Sequence, residues 1–322
     1  MKLRLAFVSA AIGALSLGAC GSDDGGGGET VNPDGTHTQF VADTITIPGS
    51  AAEASQLGLD LDDDDVSDNA LGQNLSILSG QGVDLQASVD EAIASAGIVI
   101  LANVQATALD NATGVGFTIY LGTDQTTPAA CTDPDDIATC GNHLDGSGSF
   151  EVDPQSPRDA VIVGSILGGG FQTSTVGNVT LRLELIDGEP AIDLNLISAA
   201  AEFNVSPTGI MSGKLGGAIT AQEANDNILP VIVDLVMTAV GEDCTGTPPD
   251  ACCEDGSTGE TIYGIFDTDD DCAVSAAEVE GNDLVATVLN PDVDLAPPGD
   301  GVDDAISLGL GFSAVSGTFT RP

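Results

Sequence analysis

Between Val179 and Ile219 apolar residues fall on alternate positions, and this period limits the fold more than any other feature of the chain. Val179, Leu181, Leu183 and Leu185 alternate with Thr180, Arg182 and Glu184. After Asp187-Gly188, a pair suited to a tight hairpin turn, Ile192, Leu194 and Leu196 alternate with Asp193 and Asn195. Successive side chains of a strand point to opposite faces, so this spacing predicts a hairpin with one face buried. Ser206-Pro207-Thr208-Gly209 turns the chain again, and Met211, Gly213, Leu215, Gly217 and Ile219 line one face of a third strand, giving an antiparallel meander.

The pattern recurs at both ends. A strand is expected from Gln39 to Ile47, stopped by Pro48-Gly49, and others at Ile98–Leu109 and Gly116–Leu121, joined by the turn formers of 110–114. Leu308, Leu310, Phe312 and Ala314 alternate near the C-terminus, so the chain is expected to return to the same sheet. Helical spacing lies between Leu71 and Ala96, with Leu75, Leu78, Val89 and Ile93, broken near Gly80 and Gly82. Thr220-Ala221-Gln222-Glu223 has capping-box spacing and opens a helix to about Val240 that Pro230 should kink or interrupt. The expected fold is mainly β with inserted helices: an antiparallel β-sandwich-like or barrel-like core plus a small disulfide-rich segment. A more evenly mixed α+β fold is the alternative.

Charge limits the partners. The chain carries 50 acidic and 6 basic residues, a formal net charge of −44. Such a field repels nucleic acid and anionic headgroups, opposes its own compaction and calls for counter-ions. With 42% hydrophobic residues the chain can still bury a sizeable core.

The first twenty residues read as an export address. Lys2 and Arg4 precede an apolar run from Leu5, too short to span a bilayer comfortably, that ends in Leu17-Gly18-Ala19-Cys20. This resembles the lipobox of bacterial lipoproteins, which implies a signal peptide over 1–19 and a lipid on Cys20. Gly21, rather than Asp, follows the Cys, and by the same resemblance this points to the outer membrane of a Gram-negative cell envelope. Lipid on Cys20 leaves six of the seven cysteines, Cys131, Cys140, Cys244, Cys252, Cys253 and Cys272, an even set suited to an oxidising compartment. The Gly-rich stretch 20–37, including His37, reads as a flexible tether. A β-rich core over 38–240, a Cys-rich segment over 241–290, and an Asp-rich loop with the C-terminal strand over 291–322 complete the expected organisation.

Three acidic clusters carry the chemistry. Asp267-Thr268-Asp269-Asp270-Asp271-Cys272-Ala273-Val274-Ser275-Ala276-Ala277-Glu278 resembles the twelve-residue EF-hand loop. The resemblance implies calcium ligands at Asp267, Asp269, Asp271, the Ala273 carbonyl, Ser275 and Glu278, because alternate carboxylates on a tightly turning loop converge on one cation. The sixth position is normally Gly, where the chain turns with positive φ; here it is Cys272, which a disulfide is expected to hold. Adjacent cysteines seldom pair, so Cys244 is expected to join one of Cys252 and Cys253 and Cys272 the other, while a Cys131–Cys140 bridge would close a short acidic loop. The second cluster, Asp60, Asp62, Asp64 and Asp68, repeats the alternation without Gly or a closing Glu. The third, Asp292, Asp294, Asp300 and Asp303, resembles the Asp-rich calcium repeats of extracellular proteins with Ala-Pro-Pro inserted. The acidic loops could also share an ion pairwise.

Catalysis finds little support in the sequence. His143 lies in the turn-like Gly141-Asn142-His143-Leu144-Asp145-Gly146 and is expected to be exposed; no nucleophile elbow, phosphate loop or dinucleotide fingerprint is present. With no Trp and two Tyr, aromatic platforms for sugars are scarce. The expected function is a calcium-binding, lipid-anchored envelope protein with a structural, adhesive or scaffolding role, whose partners are the membrane and an envelope or matrix component. A secreted calcium-dependent hydrolase and a carrier of lipid or another hydrophobic ligand are the alternatives.

Overall fold

The computed structural model describes residues 29–62, 64–158, 160–183, 191–246, 252–295 and 301–322, apart from 81–84. Cys20 and the segment before it, the Asp187-Gly188 turn and Asp300 lie outside the described residues.

Eight antiparallel strands close on themselves. They are β1 (Thr36–Thr46), β2 (Ile100–Ala106), β3 (Asn111–Thr127), β5 (Val161–Leu167), β6 (Gly170–Thr175), β8 (Ile192–Ser206), β9 (Gly209–Thr220) and β10 (Ala305–Phe319), paired in that order with β10 returning to β1. Closure leaves the barrel wall without a free edge. Two further strands lie off the ring: β4 (Gly148–Val152) pairs with β3 and, in parallel, with β10, and β7 (Gly177–Leu183) pairs with β8. The expected hairpin is therefore present, with Leu181 opposite Leu194. Arg182 ties it to the loop after β4, donating to both carboxylate oxygens of Asp193 at 2.7 and 3.0 Å and to Asp153 at 3.1 Å.

Strand alternation sorts side chains into two layers. Phe40, Ile100, Ala102, Phe117 and Ile119 join the interior core, where the Phe203 ring lies 4.7 Å from Phe117 and 4.6 Å from Phe171. Their neighbours Val41, Leu101 and Tyr120 form an outer cluster covered by Phe150 of β4 and by Phe319. Helices α1 (Ala51–Leu57), α2 (Ala70–Gly80) and α3 (Leu85–Ser95) fill the connection from β1 to β2. A helix begins at α4 (Ala221–Glu223), widens into a π turn at Ala224–Ile228 and continues as α5 (Leu229–Asp243). The π turn ends two residues before Pro230, which cannot donate a backbone N–H to the ladder, so the helix adjusts and does not stop. By length and apolarity it could cross a bilayer, yet Ile228, Ile232, Val233, Val236 and Val240 are buried in the fold. Its apolar face packs with Leu71, Leu75 and Leu85 over Leu183, Leu194 and Leu308, leaving a gap of about 20 Å³. A second interior gap, beside Phe117 and Leu310, is about 30 Å³. Both are lined by apolar side chains alone, so a water there would lack hydrogen-bond partners, and neither accommodates an acyl chain. Helices α6 (Thr258–Phe266), α7 (Ala276–Glu280) and α8 (Asp283–Val288) complete the insert before β10.

Two local expectations are corrected. The flexible tether was expected to run through His37, but β1 begins at Thr36 and His37 Nδ1 lies 3.2 Å from Asn103 Oδ1. Upstream, Glu29 already lies against the barrel, accepting hydrogen bonds from the Gly114 N–H and the Ser174 hydroxyl, each at 2.6 Å. His143, expected in solvent, is 1% exposed and packs edge-on to Phe150; burial lowers the pKa of its imidazole.

Candidate metal centre

Two chain segments far apart in sequence meet on the outside of the barrel. Leu59 and Leu61, from the loop between α1 and α2, pack with Val293 and Ala305, from the approach to β10, against Ala218 of β9. Isolated bridges, Leu59 with Asp68 and Val293 with Ala305, stiffen each loop. Asn69 pins the first loop from beneath: it is 1% exposed, its amide donates to the carbonyls of Ala54 and Gly309 at 2.9 Å, and its oxygen accepts from the N–H groups of Gly72 and Gly309.

On this floor the carboxylates of Asp60, Asp62 and Asp68 bring one oxygen each within 4.8 Å of the others. Asp60 shapes the turn by accepting from the N–H groups of Asp64 and Asp65, and Asp68 accepts from Leu61 N–H at 2.8 Å. The second loop reaches the same place: the backbone N–H of Asp294 lies toward Asp62 and lowers its pKa, and the charge of Asp292 acts on Asp68. Oδ1 of Asp62 and Oδ1 of Asp294 are both buried without a hydrogen-bond partner. Burial, followed by the charges of Asp62, Asp292 and Asp64, pushes Asp68 up to about 6 despite the bond from Leu61. Asp62 is raised for the same reason, burial first and then Asp64 and Asp60. Like charges brought together, with acceptor oxygens left over, form a donor set that could hold a metal ion.

The remaining residues of these two clusters stand apart. Asp64 is exposed and accepts from Val66 N–H, Asp303 is exposed, and both oxygens of Asp292 are engaged by the N–H and hydroxyl of Ser307.

The loop after α6 makes a second acidic cluster. Asp267, Asp269 and Asp271 place an oxygen each within 4.8 Å of one another. Asp267 organises the turn, accepting from the N–H groups of Asp269, Asp270 and Cys272, and the backbone adopts positive φ at Asp270 (58°) and Cys272 (69°). Burial alone would raise the pKa of Asp267, but hydrogen bonds from the Tyr263 hydroxyl and those N–H groups outweigh it and lower it. Tyr263, donating to that carboxylate, is in turn pushed up to about 12. Cys272 is bonded to Cys252, and Cys244 to Cys253, while Cys131–Cys140 closes the loop before β4. A disulfide thus sits at the sixth position of the loop.

Glu278 and Ser275 take another part here. Ser275 caps α7, its hydroxyl accepting from Glu278 N–H, while one Glu278 oxygen accepts from the N–H and hydroxyl of Ser275 and the other from those of Thr268. These bonds, the backbone ones first, hold Glu278 down to about 2. Glu278 therefore lies outside the three-aspartate cluster, and the Ala273 N–H faces the Asp271 carboxylate. No protein-family model, curated protein or solved structure matches the chain.

Proposed function

We propose that this is a calcium-binding protein of the cell envelope, carried at the outer membrane by a lipid on Cys20 and serving a structural role, as scaffold or adhesin, toward another envelope or matrix component. One observation carries the ion: Asp62 leaves a carboxylate oxygen buried and unpartnered beside Asp60 and Asp68, and Asp294, on the loop packed against theirs, leaves another. All the donors are oxygen, which suits a hard cation; calcium accepts the irregular arrangement that magnesium resists. An ion there would join the β1–β2 connection to the β9–β10 connection and stiffen the acidic end of the barrel. Asp267, Asp269 and Asp271 offer a second, EF-hand-like position, which Glu278 can complete by giving up its capping bonds.

The lipobox and the three disulfides support the location, since disulfides persist outside the reducing cytoplasm. Thermal melts of the protein in millimolar calcium and in chelator test the ion, and intact mass with Cys20→Ser as control tests the lipid. A rise of several degrees with calcium is expected, because extracellular sites of this kind bind at roughly 10⁻⁴ to 10⁻³ M. Identical melts in calcium and chelator would overturn the calcium reading.

A further inference from the structure

We propose that the end of the barrel built by the β2–β3, β5–β6 and β8–β9 turns is the face that rests on the bilayer. This placement depends on the lipid anchor proposed above. The three turns form one continuous rim: Gly169 N–H donates to Asp110 O at 3.0 Å, Gly168 N–H to Asn111 Oδ1 at 3.2 Å, and Val205 N–H to Gly169 O at 2.8 Å. Ser316 N–H, donating to Thr208 O at 3.2 Å, extends it to β10. At its tip Leu167 is 81% exposed. A single exposed leucine is ordinary, so its setting decides its meaning.

Charge provides the setting. Across residues 107–111, 167–170 and 206–209 the sole acid is Asp110, in a chain with 50 acids. Connectivity sends the acidic loops the other way, since 60–68 lies between β1 and β2, and both 267–271 and 292–304 lie between β9 and β10. A body of such charge is repelled by headgroup phosphates through every other approach, and screening over about 8 Å does not hide a loop in direct contact. With Leu167 at its tip and only Asp110 in its turns, besides Asp34 and Glu29 on the approach to β1, the rim is the less repelled of the two ends of the barrel.

The reach of the chain agrees. Glu29 is fixed at Gly114, three residues up β3 from Asn111, roughly 10 Å along the strand from the rim. From Cys20 to Glu29 the chain spans at most about 30 Å. That length lets the rim meet the membrane directly, whereas presenting the acidic end would require the tether to pass the barrel wall and the helices beyond it.

The absence of Trp from the sequence makes a clean test. Full-length lipidated protein carrying Leu167→Trp, or Val66→Trp in the acidic loop as the opposing reporter, is reconstituted on phosphatidylcholine vesicles. Both variants should float with the vesicles. Emission from Leu167→Trp should shift to the blue and be quenched by lipids brominated on the acyl chain, while Val66→Trp keeps its aqueous spectrum. Hydrogen exchange on the unsubstituted chain should slow at 107–111 and 167–170 and not at 60–68, which removes dependence on the introduced indole. Flotation with a water-like, unquenched Leu167→Trp and unchanged exchange would overturn this placement and leave the anchor standing. Failure to float, with no lipid mass on Cys20, would overturn both.

Discussion

The backbone N–H of Asp294 lies toward the carboxylate of Asp62 and lowers its pKa, and Asp62 and Asp294 each keep one buried carboxylate oxygen without a partner. A buried unpaired acceptor costs about 1–3 kcal/mol, more when charged, so these oxygens destabilise the fold by that order unless a cation satisfies them. Replacing Asp62 and Asp294 together by Asn removes two negative charges at constant shape. In chelator the double variant should melt a few degrees above the wild type, and it should lose most of the calcium-induced rise. Scanning calorimetry in the two conditions reads both effects; a double variant that keeps the full calcium shift would place the ion elsewhere.

Asp68 supplies a pH dependence. It holds its proton up to about pH 6 in the fold, whereas the ordinary aspartate value is 3.8. The folded state therefore binds more protons than the unfolded chain between these values. The stability this group contributes is fully present below about pH 3.8 and is lost as pH rises through about 6. Asp68 is partly exposed, so after solvent screening the loss is on the order of 1 kcal/mol. In chelator, Asp68→Asn should remove this component of the pH profile measured by urea denaturation, and calcium affinity of the wild type should weaken as pH falls below about 6. A profile unchanged by Asp68→Asn would show that the carboxylate is not the group responsible.

The strands were legible where one face is buried, because one-sided burial writes a period of two into the sequence. Val179 to Ile219 gave β7, β8 and β9, and Leu308 to Ala314 gave the heart of β10. Barrel closure was not legible: the pairing of Phe40 with Ser316, or of Phe117 with Ile162, joins segments whose local patterns fit a sandwich equally well. The same holds for the site. The spacing of Asp267, Asp269 and Asp271 is local and was readable, but the meeting of Asp62 with Asp294 depends on how Leu59, Leu61 and Val293 pack. Glu278 has two readings in sequence, because a capping box and the last position of a calcium loop ask for the same residue; in the structure it caps α7. The turn formers around His143 report a turn and say nothing of its depth beneath Phe150. Asn69 did carry a local signal, standing three residues before Gly72 at the start of a helical period, where its side chain caps α2.

Asn69 should be among the costliest single positions. Its amide serves two carbonyls and its oxygen two N–H groups, all within the fold. Truncation to Ala strips four partners at once and leaves several of them buried, which should cost about 3 kcal/mol or more. Asn69→Asp keeps the acceptor but replaces the donor by a buried charge facing two carbonyls, and should be no better. Urea midpoints for both variants check this; a loss under about 1 kcal/mol would mean that water replaces the amide without penalty.

The Cys252–Cys272 bond and the backbone at Cys272 make separable contributions to the second acidic loop. Closing a loop of about twenty residues restrains the unfolded chain by about 3 kcal/mol, and a non-glycine residue at positive φ costs roughly 1–2 kcal/mol that the bond helps to sustain. Cys252→Ser with Cys272→Ser removes the bond and keeps the strained Cβ; Cys252→Ser with Cys272→Gly removes both. The glycine pair should therefore recover about 1 kcal/mol over the serine pair. The metal readout is independent of stability, because the Tyr263 ring lies close enough to Asp267 to perturb its pKa and can sensitise terbium bound among Asp267, Asp269 and Asp271. Terbium luminescence should be weak in the serine pair, restored in the glycine pair and abolished by Asp267→Asn. Equal luminescence in the serine pair and the wild type would mean that the aspartates hold the turn without the disulfide.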